Sequence, residues 1–229
     1  MMRSSFSIRQ CGSDVDAVAA TEFAMVVPFM LVLLIGGIEL AHGMAINVKV
    51  STTAHAVADM VTQNTSLSTT SMQNILTGAT AIIAPYPVTG SGGSSVLSVT
   101  VSEVSSDANG KLTLQWSQSF NGSTFGVGRT SLTGLTIPTS LNGTVGNAAN
   151  LHNQNDQVSF IVGEVSYAYT PNLGYTITGT INLTDTVWMF PRCSTDSPAN
   201  SSGPAYYDIK YTSSTTTCTC LQHLQYKSC

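Results

Sequence analysis

Charge is what this sequence has least of. Only 9% of its 229 residues are Asp, Glu, Lys or Arg, against about 25% in an ordinary soluble domain. Eight are Lys or Arg and 12 are Asp or Glu, for a formal net charge of −4. So few cations cannot neutralise a phosphate backbone, which excludes a nucleic-acid partner. The common catalytic signatures are missing as well. There is no G-x-S-x-G elbow, Walker A loop, G-x-G-x-x-G turn or H-E-x-x-H helix. The segment Gly90-Ser91-Gly92-Gly93-Ser94 carries no Lys and reads as a flexible turn rather than a phosphate cradle. No catalytic residue, cofactor or metal is expected, and the chain does not read as an enzyme. What takes the place of charge is Ser, Thr, Asn and 19 Gly, beside a hydrophobic fraction of 42%. That fraction excludes a disordered polyelectrolyte. The hydroxyl-rich remainder suits a strand-rich domain outside the cytoplasm.

One apolar run dominates the amino-terminal part. Phe23 to Ile38 holds sixteen residues without a charge, and the apolar character extends from Val18 to Leu40. A membrane span needs about 20 such residues, so 18–40 is predicted to cross a bilayer. Glu22 and Glu39 lie 17 residues apart, about 26 Å along a helix, and mark the two interfaces. Arg3 and Arg9 precede the span and only Lys49 follows closely. The bias predicts residues 1–17 in the cytoplasm and the rest outside. A cleaved signal peptide ending at Gly43 or Ala45 is the competing reading, opposed by the long acidic stretch before Phe23.

Beyond the span the helix is expected to continue. Ile46, Val50, Ala54, Val57 and Val61 recur as one amphipathic stripe, giving a helix from about Val18 to Thr62, roughly 65 Å long. A second helix is predicted near Thr70, with Thr70 and Gln73 at capping-box spacing. Its apolar face is Met72, Ile75, Leu76, Ala79, Ile82 and Ile83, and Pro85 and Pro87 end it. Residues 41–87 form this helical stalk. From 88 to 192 the period changes to two. Leu97, Val99 and Val101, then Leu112, Leu114 and Trp116, predict a hairpin turning at Asn109-Gly110. A short strand is expected around Leu132–Ile137. A third long strand runs from Val158 to Tyr169 with a phase slip, hence a bulge, across Gly163-Glu164. A fourth covers Tyr175 to Phe190. The order of elements predicts an α+β class: a transmembrane helix continuing into an amphipathic one, then a small antiparallel β-sheet domain.

Residues 193–229 are Ser/Thr-rich and hold Cys193, Cys218, Cys220 and Cys229. In an oxidising compartment an even count predicts two disulfides. Both 193–218 with 220–229 and 193–220 with 218–229 remain open, while Cys11 is expected to be free. Cys218-x-Cys220-x-x-His223 does not have the spacing of a common zinc module, and oxidised cysteines cannot ligate.

The run Val18-Ala19-Ala20-Thr21-Glu22-Phe23-Ala24-Met25-Val26-Val27-Pro28-Phe29 resembles the amino-terminal signature of TadE-like proteins of the tight-adherence (Flp) pilus system. Pro28 and the Gly37-Ile38-Glu39-Leu40 segment are similar to further landmarks of that family. So are Glu164-Val165-Ser166-Tyr167-Ala168-Tyr169-Thr170-Pro171 and Met189-Phe190-Pro191-Arg192. The resemblance implies a pilin-like fold and a minor pseudopilin or assembly factor of the bacterial inner membrane, with a periplasmic or extracellular domain. Its partners would be the pilin, sister pseudopilins, the assembly platform and a prepilin peptidase. By the same resemblance the peptidase would cut between Ala17 and Val18, where such enzymes generally take Gly. Glu22 would then meet a neighbour's freed amine. Two other classes come from the residues alone. One is a tethered adhesin that stacks glycans on Tyr167 and Tyr169. The other is a tethered hydrolase built on Glu103, Glu164 or a His.

Overall fold

A 48-residue helix, α1 (Val15–Thr62), begins the computed structural model, which describes residues 15–90, 92–106, 112–135, 158–171, 179–194, 209–211, 219–222 and 225–228. The chain divides into two compact units: Met1–Ala45 with Thr170–Thr180, and Ile46–Tyr169 with Ile181–Cys229. In the first unit α1 is apolar all round. Pro28 lies inside it, removing one backbone donor without ending the helix. Thr170 and Thr180 join hydroxyl to hydroxyl at 3.1 Å.

The second unit is helices on one face of a sheet. The expected stripe of Ile46, Val50, Ala54, Val57 and Val61 is buried in full. After strand β1 (Ser66–Leu67) comes α2 (Thr69–Ile83). Its cap is Ser68 rather than Thr70: the Ser68 backbone is extended and its hydroxyl accepts from the Ser71 N–H at 3.1 Å. Thr70 is already helical, so the expected capping box is two residues too late. Met72, Leu76, Ala79 and Ile83 face the core. At the other end Lys49 Nζ donates to the carbonyls of Ile82 (2.9 Å) and Ala84 (2.6 Å). A cation thereby meets the negative end of α2.

The five-stranded sheet consists of β2 (Leu97–Ser106), β3 (Leu112–Phe120), β4 (Phe125–Val127), β5 (Val158–Tyr169) and β6 (Ile181–Met189). The order is β4-β3-β2-β5-β6, and every neighbouring pair is antiparallel. The hairpin of β2 and β3 is as expected, though its Asn109-Gly110 turn lies outside the described residues. The helix-facing side carries Leu97, Val99, Val101, Ile161, Val165, Tyr167 and Val187, which join the helical stripe in one core. Gly163 sits on that side, where a larger residue would be crowded by α1. A Cβ there would stand 3.0 Å from both the Ala54 carbonyl oxygen and Ala58 Cβ.

That position corrects the expected bulge. β5 keeps unbroken register with β2 and β6 through Gly163 and Glu164. The apolar phase slips because the sheet is buried on both faces near Phe160: Val104, Phe160 and Val162 lie opposite the helices. Phe160 meets Trp188 edge-on and Phe190 at a tilt. The bulge falls instead between Glu103/Val104 and their partners Trp116/Leu114, where Gln115 is the extra residue. It leaves Trp116 on the helix side and moves Leu112 and Leu114 to the other face. Residues 132–135 form a turn closed by Leu135 N to Leu132 O at 3.1 Å, not a strand. The strand in this region is β4, whose central Gly126 hid it from pattern reading.

Beyond β6, β7 (Cys193–Ser194) pairs with β9 (Thr219–Gln222), and β9 with β10 (Gln225–Ser228). β8 (Lys210–Tyr211) runs parallel to β1. Ile209, just before β8, is buried in the core.

Candidate functional site

Three places carry the chemistry that the sequence singled out. The first is the apolar half of α1. Its side chains are exposed on every side, Phe23 at 69%, Met25 at 77% and Leu33 at 75%. By length and composition this is one helix able to cross a membrane. Val18, Glu22 and Pro28 all lie on the exposed surface, and Ala17 is helical in its backbone. Glu39 differs from Glu22: it is buried, at 3% exposure. Identical residue types at the two ends of the run therefore have different surroundings.

The second place is where α1 ends. Arg192 pairs with Asp59 through the guanidinium and donates its own N–H to the Thr62 carbonyl at 2.9 Å. Pro191 beside it is buried. The Pro-Arg step after β6 thus clasps the last turn of α1, with a side chain and a backbone group acting together.

The third is a depression of about 260 Å³ on the sheet face away from the helices. Its rim is hydroxyl-rich: Ser98, Thr100, Ser166, Thr184 and Thr186. At its centre Arg129 grips Glu164 with two bonds of 2.5 Å, and its third nitrogen donates to the Thr133 carbonyl at 2.8 Å. Donation to the Glu164 carboxylate, together with its negative charge, holds the Arg129 pKa above its ordinary value; burial opposes this. Gly128 makes the arrangement possible, since a methyl group there would overlap Ser117 Oγ and Thr100 Cγ2. The Arg129 N–H is then received by Ser117 Oγ at 2.7 Å.

Two alternative readings of the sequence end at these contacts. Tyr167 and Tyr169 do not form a glycan-stacking surface. Both are buried on the helix side, Tyr167 at 4% exposure, with its hydroxyl donating to the Pro87 carbonyl at 2.9 Å. Burial pushes the Tyr167 phenol up from its ordinary pKa. Glu103 and Glu164 do not converge either, because the β2–β5 register puts them on opposite faces. Glu103 accepts the Ile209 N–H at 3.0 Å, while Trp116 Nε1 donates to the Ile209 carbonyl at 2.7 Å. These two side chains seat Ile209 in the core. Among the described residues no cluster of His, Cys, Asp or Glu could hold a metal. Cys11, Cys218, His223 and Cys229 lie outside the described residues, whereas Cys193 and Cys220 occupy paired strands.

Residues 17–59 match the family model of TadE-like proteins. That segment is similar to TadE-like proteins. No curated protein and no solved structure matches the chain. The TadE-like segment takes in the exposed apolar run, the buried stripe as far as Val57, and Asp59 of the clasp. It also includes Lys49, which sequence reading used only for orientation. Its role at α2 had one legible signal: a lone cation on a helix, with an apolar helix ending at proline about 35 residues on. Arg129 was missed altogether, although a cation following Gly126-Val127-Gly128 stands out in a chain with eight Lys and Arg.

Proposed function

We propose that this chain is a membrane-anchored, pilin-like component or assembly factor of a tight-adherence (Flp-type) pilus, acting by anchoring and recruitment rather than by catalysis. The observation that carries the reading is α1. It is exposed and apolar over a bilayer's length, buried along one stripe thereafter, and TadE-like from 17 to 59. The positive bias of Arg3 and Arg9 supports a cytoplasmic amino terminus and a periplasmic or extracellular sheet domain. Among packed helices at the edge of the span, the Glu22 carboxylate calls for a positive partner, and a neighbour's amine freed between Ala17 and Val18 would supply one. Gly37 and Ala41 share a helix face, and a Cβ built on Gly37 meets nothing within 4 Å. That open face suits close approach of a second helix. The partners proposed are the pilin, sister pseudopilins, the assembly platform and a prepilin peptidase.

The test is Glu22→Gln in cells that make the pilus. The variant is expected to fractionate with membranes at wild-type level and to lose piliation at least tenfold. Normal piliation would remove Glu22 from the mechanism. Recovery of the chain as a soluble product beginning at residue 44 or 46 would overturn the anchor itself.

A further inference from the structure

Strand register bears on a choice that cysteine spacing left open. β7 and β9 are antiparallel, with Cys193 directly opposite Cys220 and Ser194 opposite Thr219. Opposed residues in such a ladder have Cα atoms about 4.5 or about 5.5 Å apart. Both values fall within the roughly 4.4–6.8 Å that a disulfide bridges. Linking Cys193 to Cys218 instead would require the ladder to slip by two residues. We propose that Cys193 and Cys220 form a disulfide that staples the β9–β10 hairpin to the end of β6.

Two features place the staple where it would matter. Residue 192, its immediate neighbour, is clasped to α1 through Asp59 and the Thr62 carbonyl. Between the two cysteines the chain also returns to the core at Ile209 and to β1 at Lys210–Tyr211. The link closes a loop already fixed at one end and in the middle. It follows that Cys218 is left for Cys229.

The chemistry needs an oxidant and rests on the outward orientation proposed above. An extracytoplasmic thiol–disulfide exchange protein, present as its disulfide, is attacked by one thiolate to give a mixed disulfide. The second thiolate displaces it. Two protons and two electrons leave Cys193 and Cys220, one S–S bond forms, and the exchange protein departs as a dithiol.

The experiment uses full-length protein in its own membranes, with free thiols blocked by N-ethylmaleimide and peptides mapped by mass spectrometry without reductant. The expected result is a reducible link between the peptides holding Cys193 and Cys220, retained in a Cys218→Ser/Cys229→Ser variant and lost in Cys220→Ser. A wild-type link from Cys193 to Cys218 or Cys229 overturns the pairing. The wild-type map decides the matter even where Cys220→Ser fails to accumulate. Orientation is read separately, by protease added to spheroplasts. Blocked thiols on a protease-accessible domain overturn the disulfide alone. Blocked thiols on a protected domain overturn the disulfide and the orientation together.

Discussion

The two halves of α1 have the same backbone and opposite relations to their surroundings. From Phe23 to Ile38 large apolar side chains point outward on all sides, whereas from Ile46 to Val61 the apolar stripe is completely covered and Val48 is the large hydrophobic left exposed. The boundary between the two compact units falls within this helix, after Ala45. In the proposed reading, lipid is the solvent that stabilises the first half. The second is stabilised by β5, α2 and their shared core. Helix propensity does not distinguish the halves; the angular distribution of apolar residues does.

The largest way to break that comparison is to put charge into the first half. Leu33→Arg with Leu34→Asp should cost roughly 5–7 kcal/mol of insertion, from about 2.5–3.5 per charge near mid-bilayer. Carbonate extraction should then release the protein; retention in the membrane would mean that this half is not the anchor. The second half should respond most to loss of close approach. Gly163→Val must push the Ala54 carbonyl and Ala58 away, a strain of about 3 kcal/mol, read as a lower denaturation midpoint of the detergent-solubilised protein. An additional Ala58→Gly should recover part of it.

A matched pair sharpens the contrast. Val57→Ala removes fully buried methyl groups and should cost about 2 kcal/mol. Val32→Ala, 57% exposed, should change domain unfolding by less than about 0.5 kcal/mol. Equal effects would erase the distinction between the halves. The smallest effect belongs to Tyr167→Phe, which loses the bond to Pro87 and about 1 kcal/mol at neutral pH. It also carries a pH signature. Below about pH 10 the phenol is protonated in both folded and unfolded chains. Above that, the fold retains the proton that the unfolded chain gives up, so stability falls as pH rises through the window. Tyr167→Phe should flatten that alkaline fall, as measured by denaturation midpoints across pH 9–11.

Legibility in the sequence followed periodicity. The stripe from Ile46 to Val61 and the face from Met72 to Ile83 were readable because helical spacing survives in one dimension. The sheet was only partly readable. Alternation assumes one buried face, and near Phe160 both faces are buried, so the pattern suggested a bulge in β5 that belongs to β3. The candidate site was less legible still. Tyr167 and Tyr169 read better as an aromatic core than as a glycan-stacking surface, and they are buried, but alternation gives only a shared face and does not say which way it points. Arg129 meets Glu164 across 35 residues of chain, a pairing that no local pattern encodes.

Read alone, the sequence specifies the apolar rod, the stripe that follows it, the change from period 3.6 to period 2, and the resemblance of its first segment to TadE-like proteins. Each is a local property, written in which residues follow which. Only the tertiary structure decided the rest: Glu39 covered and Glu22 bare, Glu103 and Glu164 on opposite faces, Lys49 at the end of α2, Arg192 clasped to Asp59, and Cys193 opposite Cys220. Each of these depends on segments far apart in the chain arriving at the same point, which strand register and core packing fix.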